Sequence, residues 1–554
     1  MVHRDLDERH RLWQLVWAVW VSVANSGTYS IGGYLSPILK DPPYNFSQSQ
    51  LAWMGAIGGI ALSVSFPAGY VYDRWGSRHC MWIGAFLCFI GNGISALMYH
   101  GVIPLTYGGL MVSGCIYSQT WGFFESGGYV ANLGMFARDK GTILIVQESL
   151  GGAIVAAWYV GFFGKDALLL VAMTPFVLPI VAVIASMYIT KPSLPEEEMP
   201  WHGHRRFTLA YIIVGSTLVY YTATDIYSNF HDEKHSLHLV SAVFGVISLL
   251  SYALVPILGN GKGYKDPDAN VSFVDLALFK EGAAAVDTDD EVTASWHDGQ
   301  VEGPGTVQQY QSLRTPADAT QMEPTQGITM WQAAKTPEIW LLFMISTVQW
   351  GVTNMINGNG PQIYQALNKG HLDKDTNALY FSIGTIFNAV GRCLVAILDG
   401  RVQNKTFLLM FAPPFLGLAA LIVAVAPLSG LLFAFICSGF GDSLTWAARG
   451  LVLKQLFNGK SFGLIYNFMF TLAVGSPFIF NLGIFAPLYD RAAHRHGTFP
   501  NCNQRDCVTD AMLIGVAVSA FGTIAGVVLY RRTQRRMLHL KALKLEQRRK
   551  AMLS

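Results

Sequence analysis

The chain has 554 residues, 52% of them hydrophobic and only 13% charged, with a net charge of +2. Soluble chains carry about 25% charged residues, and the mean hydropathy here is +0.34. Too few charges are present to cover a water-facing surface of this size, which excludes a soluble multidomain protein. The balanced charge, with no basic domain, excludes nucleic-acid binding.

The composition reads as an all-α polytopic membrane protein. A membrane-crossing helix needs about 20 mostly apolar residues. Taken in chain order, a polar stretch 1–12 precedes six such segments: 13–35, 51–72, 79–99, 104–135, 142–163 and 167–190. Together they make a six-helix bundle over 13–190. The first apolar segment is too long for a cleavable signal peptide. A linker, 191–206, leads to two further segments, 207–228 and 236–258. The stretch 259–337 contains Asp287, Asp289, Asp290 and Glu291 and few large apolar residues. It reads as an acidic disordered loop and solvated tether, with a regulatory role as the alternative. Six more segments follow: 338–360, 377–398, 405–426, 429–453, 462–488 and 510–530, a second bundle over 338–530. The tail 531–554 alternates Arg and Lys with Leu and Met and reads as an amphipathic helix on the anionic inner leaflet.

Orientation follows from Lys and Arg. Placing the N-terminus inside puts Arg74, Arg78, Arg138, Lys140, Arg205, Arg206, Arg401, Lys405 and the basic tail on the same side. Both termini are therefore expected in the cytoplasm, in the plasma membrane or an endomembrane. No feature signals an oligomer, and a monomer in the lipid bilayer is expected.

The chain repeats itself. Ile57, Gly58, Ile60, Val64 and Asp73 recur at identical spacing as Ile383, Gly384, Ile386, Val390 and Asp399. GFFES, 122–126, matches GFGDS, 439–443. Both matches join segments of equal rank in two sets of six. This is the mark of two six-helix bundles related by an axis along the membrane normal, with a site between them near the midplane. The two central extra spans, 207–258, are an even number and keep the halves parallel, so about fourteen helices are expected.

Gly69, Asp73, Arg74, Gly76 and Arg78 form G-x-x-x-D-R-x-G-x-R between the second and third spans. This resembles the signature of the major facilitator superfamily, which implies a gate at that end. Asp73 would pair with Arg138 or cap a neighbouring helix. In the second half only Asp399, Gly400 and Arg401 of the pattern remain. SGTYSIGGYLSPILK (26–40), the stretch from Trp121 to Gly141 and YNFMF (466–470) resemble the nodulin-like branch of that superfamily. So does the loop with Tyr489, Asp490, Cys502 and Cys507. The resemblance implies a carrier of small organic acids such as pyruvate.

Ionisable residues inside a bilayer cost about 2.5–3.5 kcal/mol each on insertion scales and default to functional hypotheses. Glu125, Asp442 and Glu148 are candidates for proton coupling, since a carboxyl in a partly dry cavity takes up a proton more readily. The alternative is that each pairs with an Arg to hold helices together. Arg392 reads as the only base deep in a span, able to grip a carboxylate through two parallel hydrogen bonds or to serve as a structural partner of Glu125 or Asp442. Asn388 lies one turn before it. The pair resembles the acid–Arg pair of monocarboxylate transporters, with Asn in place of the acid. Asp225 and Arg449 lie nearer helix ends, where a solvated position is expected. Tyr29, Asn354 and Asn357 lie in polar, Gly-broken runs of the first helix of each half and are candidate substrate contacts.

Cys502 and Cys507 sit in a polar stretch and are a candidate disulfide. Cys80, Cys88, Cys115, Cys393 and Cys437 read as packing residues. His231, His235 and His238 near Asp232 and Glu233 have a spacing that could bind a metal, with a solvated charged loop as the preferred reading, so no metal and no cofactor is expected. The absence of a P-loop motif argues against an ATP-driven pump, and no span offers a nucleophile–base or metal constellation for an enzyme. The leading expectation is a secondary transporter, by preference a proton-linked symporter of a small monocarboxylate. The alternatives are a facilitative carrier of another metabolite, such as an amino acid or nucleoside, and a receptor of transporter-like build.

Overall fold

A computed structural model describes residues 10–26, 64–136, 151–163, 166–189, 207–230, 235–258, 329–399, 401–457, 461–476, 478–499 and 502–553, together with positions 39, 44, 46, 50, 53 and 54. Tyr29, Arg138, Glu148 and the stretch 259–328 lie outside the described residues.

No strand occurs among the described residues, and helix occupies part or all of each of the fourteen expected segments. Apolar segments in a bilayer have no water to satisfy their backbone groups, and a helix satisfies them within one segment. Among the described residues, eight helices are by themselves long and apolar enough to cross a membrane.

In the first half, α1 covers 10–26, α2 Phe66–Trp75, α3 Ser77–Tyr99 and α4 Tyr107–Phe124. The last continues through a π-helical turn, Glu125–Val130, into Ala131–Met135. Then come α5, Gly151–Gly161, and α6, Ala167–Tyr188. The starts are chemically marked. Thr106 accepts a hydrogen bond from the Gly109 N–H, and Asp166 accepts from the Leu168 and Leu169 N–H groups. These side chains satisfy donors that the first turn leaves unpaired. Between α2 and α3 the chain turns at Gly76, whose φ of +86° is costly for any residue with a Cβ. That requirement accounts for the second glycine of the signature.

The extra pair is α7, Thr208–Phe230, and α8, His235–Ser251. The second half holds α9, Pro337–Asn357, α10, Lys374–Asp399, α11, Ala412–Val425, α12, Leu431–Leu456, and α13, Phe462–Val474. A π-helical stretch, Phe478–Phe485, extends α13, and Asp506–Leu553 forms a long final helix, α14. Folded structure starts earlier than the expected boundary at 338. Met330–Ala334 is a short helix whose Thr329 and Gln332 make a reciprocal capping box, and Ala333 is buried in the second half's core.

Within the first half α3 packs on α4 and α6; within the second α10 packs on α12, and α11 on α12 and α14. The halves meet directly where α2 packs on α13. At that contact a Cβ on Gly69 would lie 2.5 Å from the Gly463 carbonyl oxygen, so only a glycine admits this approach. The extra pair lies elsewhere on the seam. The α8 helix packs on α5, α7 packs on α10, and one apolar core joins residues of α1, α5, α7 and α10. Trp20 of α1 donates to the Leu249 carbonyl at 2.9 Å, and Trp158 of α5 donates to the Ala242 carbonyl at 3.1 Å. The extra helices are thus built into the contact between the halves.

At the far end, Cys502 and Cys507 form a disulfide. Arg505 donates to the Val425 and Ala426 carbonyls at 2.8 and 2.6 Å, tying that loop to the end of α11. The backbone of α14 is helical without interruption into the basic tail. Thr533 and Met537 are buried, and Thr533 and Thr406 share a hydrogen bond of 2.8 Å. The start of the tail is therefore docked against the second half as a continuation of the last span.

Candidate functional site between the halves

From the Asp73 end toward the centre, successive side chains join the two halves. Asp73 accepts hydrogen bonds from the Gly463 and Leu464 N–H groups, at 3.0 and 2.8 Å. These are unpaired donors at the start of α13, where the helix dipole favours negative charge. Of the two roles expected for Asp73, the described residues contain the helix cap; Arg138 lies outside them. Burial pushes the Asp73 carboxyl up to about 6, against the lowering effect of the two N–H groups. Gly69 admits the close approach, Gly76 the turn, and Arg74 and Arg78 are exposed. Asp399, the repeat equivalent of Asp73, is paired with Lys405 of its own half at 2.7 Å.

One layer deeper, two consecutive residues of the first half pair with two of the second. The Tyr466 hydroxyl donates to Glu125 at 2.8 Å, and the Asn467 amide donates to the Ser126 hydroxyl at 2.8 Å. Ser65 donates to the Asn467 carbonyl at 3.5 Å and lies 3.4 Å from the Thr471 hydroxyl. The π-helical turn begins at Glu125; such one-residue insertions rotate the following side chains relative to a regular helix. Glu125 is 6% exposed.

Asp442, the repeat equivalent of Glu125, is held within its own half. Asn388 donates to it at 2.7 Å, and Gln349 donates to its other oxygen. Arg392 in turn donates through Nε to the Asn388 carbonyl oxygen at 3.0 Å. The structure thus joins Arg392, Asn388, Asp442 and Gln349 in one chain across α10, α12 and α9. Asn357 accepts from Ser438 at 3.2 Å, linking α9 to α12, while Asn354 donates to the Trp350 carbonyl of its own helix at 2.8 Å.

Arg449 overturns two expectations. It is 1% exposed and not solvated at a helix end, and it makes a second deep cation beside Arg392. Its guanidinium lies 4.5 Å from the centroid of the Trp446 ring, and its charge acts on both Asp442 and Tyr466. Trp446 stacks on Trp121 of the first half, and Trp350 adjoins both. The sequence reading missed Arg449, Gln349 and the tryptophans. Arg449 was placed by its distance from the helix end, which ignores the depth at which the neighbouring half covers it. Tyr466 and Asn467 were visible only as part of a family resemblance.

The fold and the seam define a polytopic helical membrane protein of two halves closed against each other at the Asp73 end. Over residues 11–257 the chain matches the Nodulin-like family model, in agreement with the resemblance carried by its sequence. No curated protein matches. Among solved structures, a variant of the E. coli fucose:proton symporter FucP is 14% identical, with 94% of this chain and 98% of that one covered and a TM-score of 0.43. A bacterial homologue of the iron transporter ferroportin, in an outward-facing state, is 12% identical, covering 94% and 99%, with a TM-score of 0.46.

Proposed function

We propose that the protein is a secondary transporter working by alternating access, which loads a small monocarboxylate such as pyruvate together with one proton. The observation that carries this reading is the buried Glu125 carboxyl of one half, hydrogen-bonded by Tyr466 of the other. A carboxylate accepts a charge-assisted hydrogen bond, roughly twice as strong as a neutral one. Protonating Glu125 therefore weakens a link that holds the Asp73 end shut. Proton uptake and opening of that end are coupled through one oxygen atom. The remaining cross-seam links, at Asp73, Ser126 and Ser65, break in the same movement.

Charge balance supports the choice of load. Among the described residues at the centre, the carboxyls Glu125 and Asp442 face the guanidiniums Arg392 and Arg449. A bare anion entering this balanced, low-dielectric region leaves an unpaired charge, whereas a carboxylate arriving with a proton does not. Arg392 is the anion anchor, with Asn388 fixing its Nε edge, and Glu125 is the proton carrier.

The test is uptake into proteoliposomes with and without a pH gradient. Glu125→Gln should abolish pH-driven accumulation while leaving exchange of internal for external substrate. Arg392→Lys should lose most uptake, because an ammonium keeps the charge but not the planar fork. Accumulation against a gradient by Glu125→Gln, or a cation as the best ligand, would overturn the mechanism.

A further inference from the structure

Trp121, Trp350 and Trp446 are partly buried and pack against one another. Trp121 belongs to α4 of the first half; Trp350 and Trp446 belong to α9 and α12 of the second. The Trp121 and Trp446 rings are nearly parallel, 7° between planes, with centroids 5.5 Å apart. Trp350 closes the side of the stack, 5.3 Å from Trp446 at 56° and 6.3 Å from Trp121 at 51°.

The cluster lies among the residues assigned to the load. Trp121 is one turn before Glu125 on α4, Trp446 one turn after Asp442 on α12, and Trp350 follows Gln349, which holds Asp442. Arg449 lies against Trp446 itself.

A stack whose two rings belong to different halves cannot survive alternating access unchanged. When the halves part, each indole loses the face that covered the other, and large aromatic surface is exposed. A separation of about 3.5 Å, one ring's thickness at van der Waals contact, makes a slot that a third flat ring fills on both faces. A puckered ring of the same size touches each wall poorly. Trp350 flanks the slot, and Arg449 against Trp446 adds a second cation to the Arg392 anchor for a carboxylate carried on such a ring.

We propose that Trp121 and Trp446 are the ring-binding walls of the central site, so that the preferred solute is a monocarboxylate borne on a flat aromatic or heteroaromatic ring. This deepens the transporter reading and rests on it for the carboxylate; the flatness requirement rests on the tryptophans alone.

The test is equilibrium binding of benzoate, cyclohexanecarboxylate and benzamide to the purified full-length protein. The first two share charge and ring size and differ in flatness; the third keeps the flat ring and lacks the charge. Benzoate should bind about tenfold more tightly than cyclohexanecarboxylate, the preference that one good ring-stacking contact confers. Trp446→Leu should bring the two acids to equal, weak affinity. Trp121→Phe keeps a ring in the stack and should retain part of the preference, which separates loss of the slot from loss of the fold. Equal affinity in the wild-type protein, a preference that survives Trp446→Leu, or no binding of either ring acid would overturn the proposal. Benzamide binding as tightly as benzoate would leave the slot standing and remove the carboxylate reading.

Discussion

Asp73 carries a signed pH dependence. Its carboxyl titrates at about 6 in the capped arrangement, against an ordinary value of 3.8. A raised value means that the proton binds the closed form more tightly than an exposed carboxyl. The Asp73 contact is therefore favoured as pH falls from about 6 toward 4, and that contribution is lost as pH rises through 6. Cys80 is fully buried beside this contact, its thiol donating to the Ala68 carbonyl at 3.6 Å. With Glu125→Gln removing the opening that its own protonation drives, we expect maleimide labelling of Cys80, taken relative to Cys115, to slow on acidification from pH 7 to 5. Adding Asp73→Asn should flatten that ratio, and a ratio indifferent to pH in Glu125→Gln alone would count against the assignment. In turnover measurements, Asp73→Asn should slow cycling more than it weakens substrate binding, because Asp73 lies at the end of the bundle. A variant with normal turnover and lost affinity would remove Asp73 from the gate.

At the scale of elements, the contact between α2 and α13 depends on backbone proximity. A Cβ on Gly69 would meet Gly463 and Leu464 backbone atoms at 2.5–2.8 Å. Backbone cannot rotate away as a side chain can, so Gly69→Val should hold the Asp73 end open. The expected readout is faster Cys80 labelling at every pH; labelling at the wild-type rate would show that the helices tolerate the added bulk. The tail offers a second case. Asn404 donates to Thr533 at 3.0 Å and to the Tyr530 carbonyl at 3.4 Å. Asn404→Ala also removes the acceptor of the buried Thr406 N–H, 3.2 Å away; leaving such a donor unsatisfied costs about 1–3 kcal/mol and should make the segment after Thr533 easier to cleave by protease. Helix positions were legible in the sequence because apolar runs of this length have one solution in a bilayer. The repeat gave the ranks of Glu125 and Asp442, but the partners of those acids come from helices distant in sequence. Tyr466 is 341 positions from Glu125, and no local pattern joins them. Equal ranks did not mean equal roles: Glu125 reaches across the seam, whereas Asp442 is held by Asn388 and Gln349 of its own half.

At the scale of the molecule, the direction of the charge bias can be checked directly. A tag after Ser554 and another within 287–291 should both lie on the cytoplasmic side, opposite the Cys502–Cys507 loop. In intact cells carrying the protein at their surface, labelling of either tag from outside would overturn this topology. The extra pair, α7 and α8, bears on movement as well. It packs on α5 of one half and α10 of the other, so the seam is spanned on that side by helices belonging to neither bundle. Under the proposed alternating access, rocking of the halves would have to carry this pair along or slide against it.

The final helix has a mechanical consequence. Forty-eight residues of unbroken helix, Asp506–Leu553, measure about 72 Å at the standard rise per residue, more than twice the roughly 30 Å hydrocarbon core of a bilayer. Among the residues whose side-chain burial is described, the last one of this rod buried against the second half is Met537, and about 24 Å of helix follows it. A lever of that length turns a small tilt of the last span into a displacement of several ångströms at its basic tip. Whatever seizes the tip resists the tilt with the same mechanical advantage, so the far end of the tail is where a small force would act most strongly on the bundle.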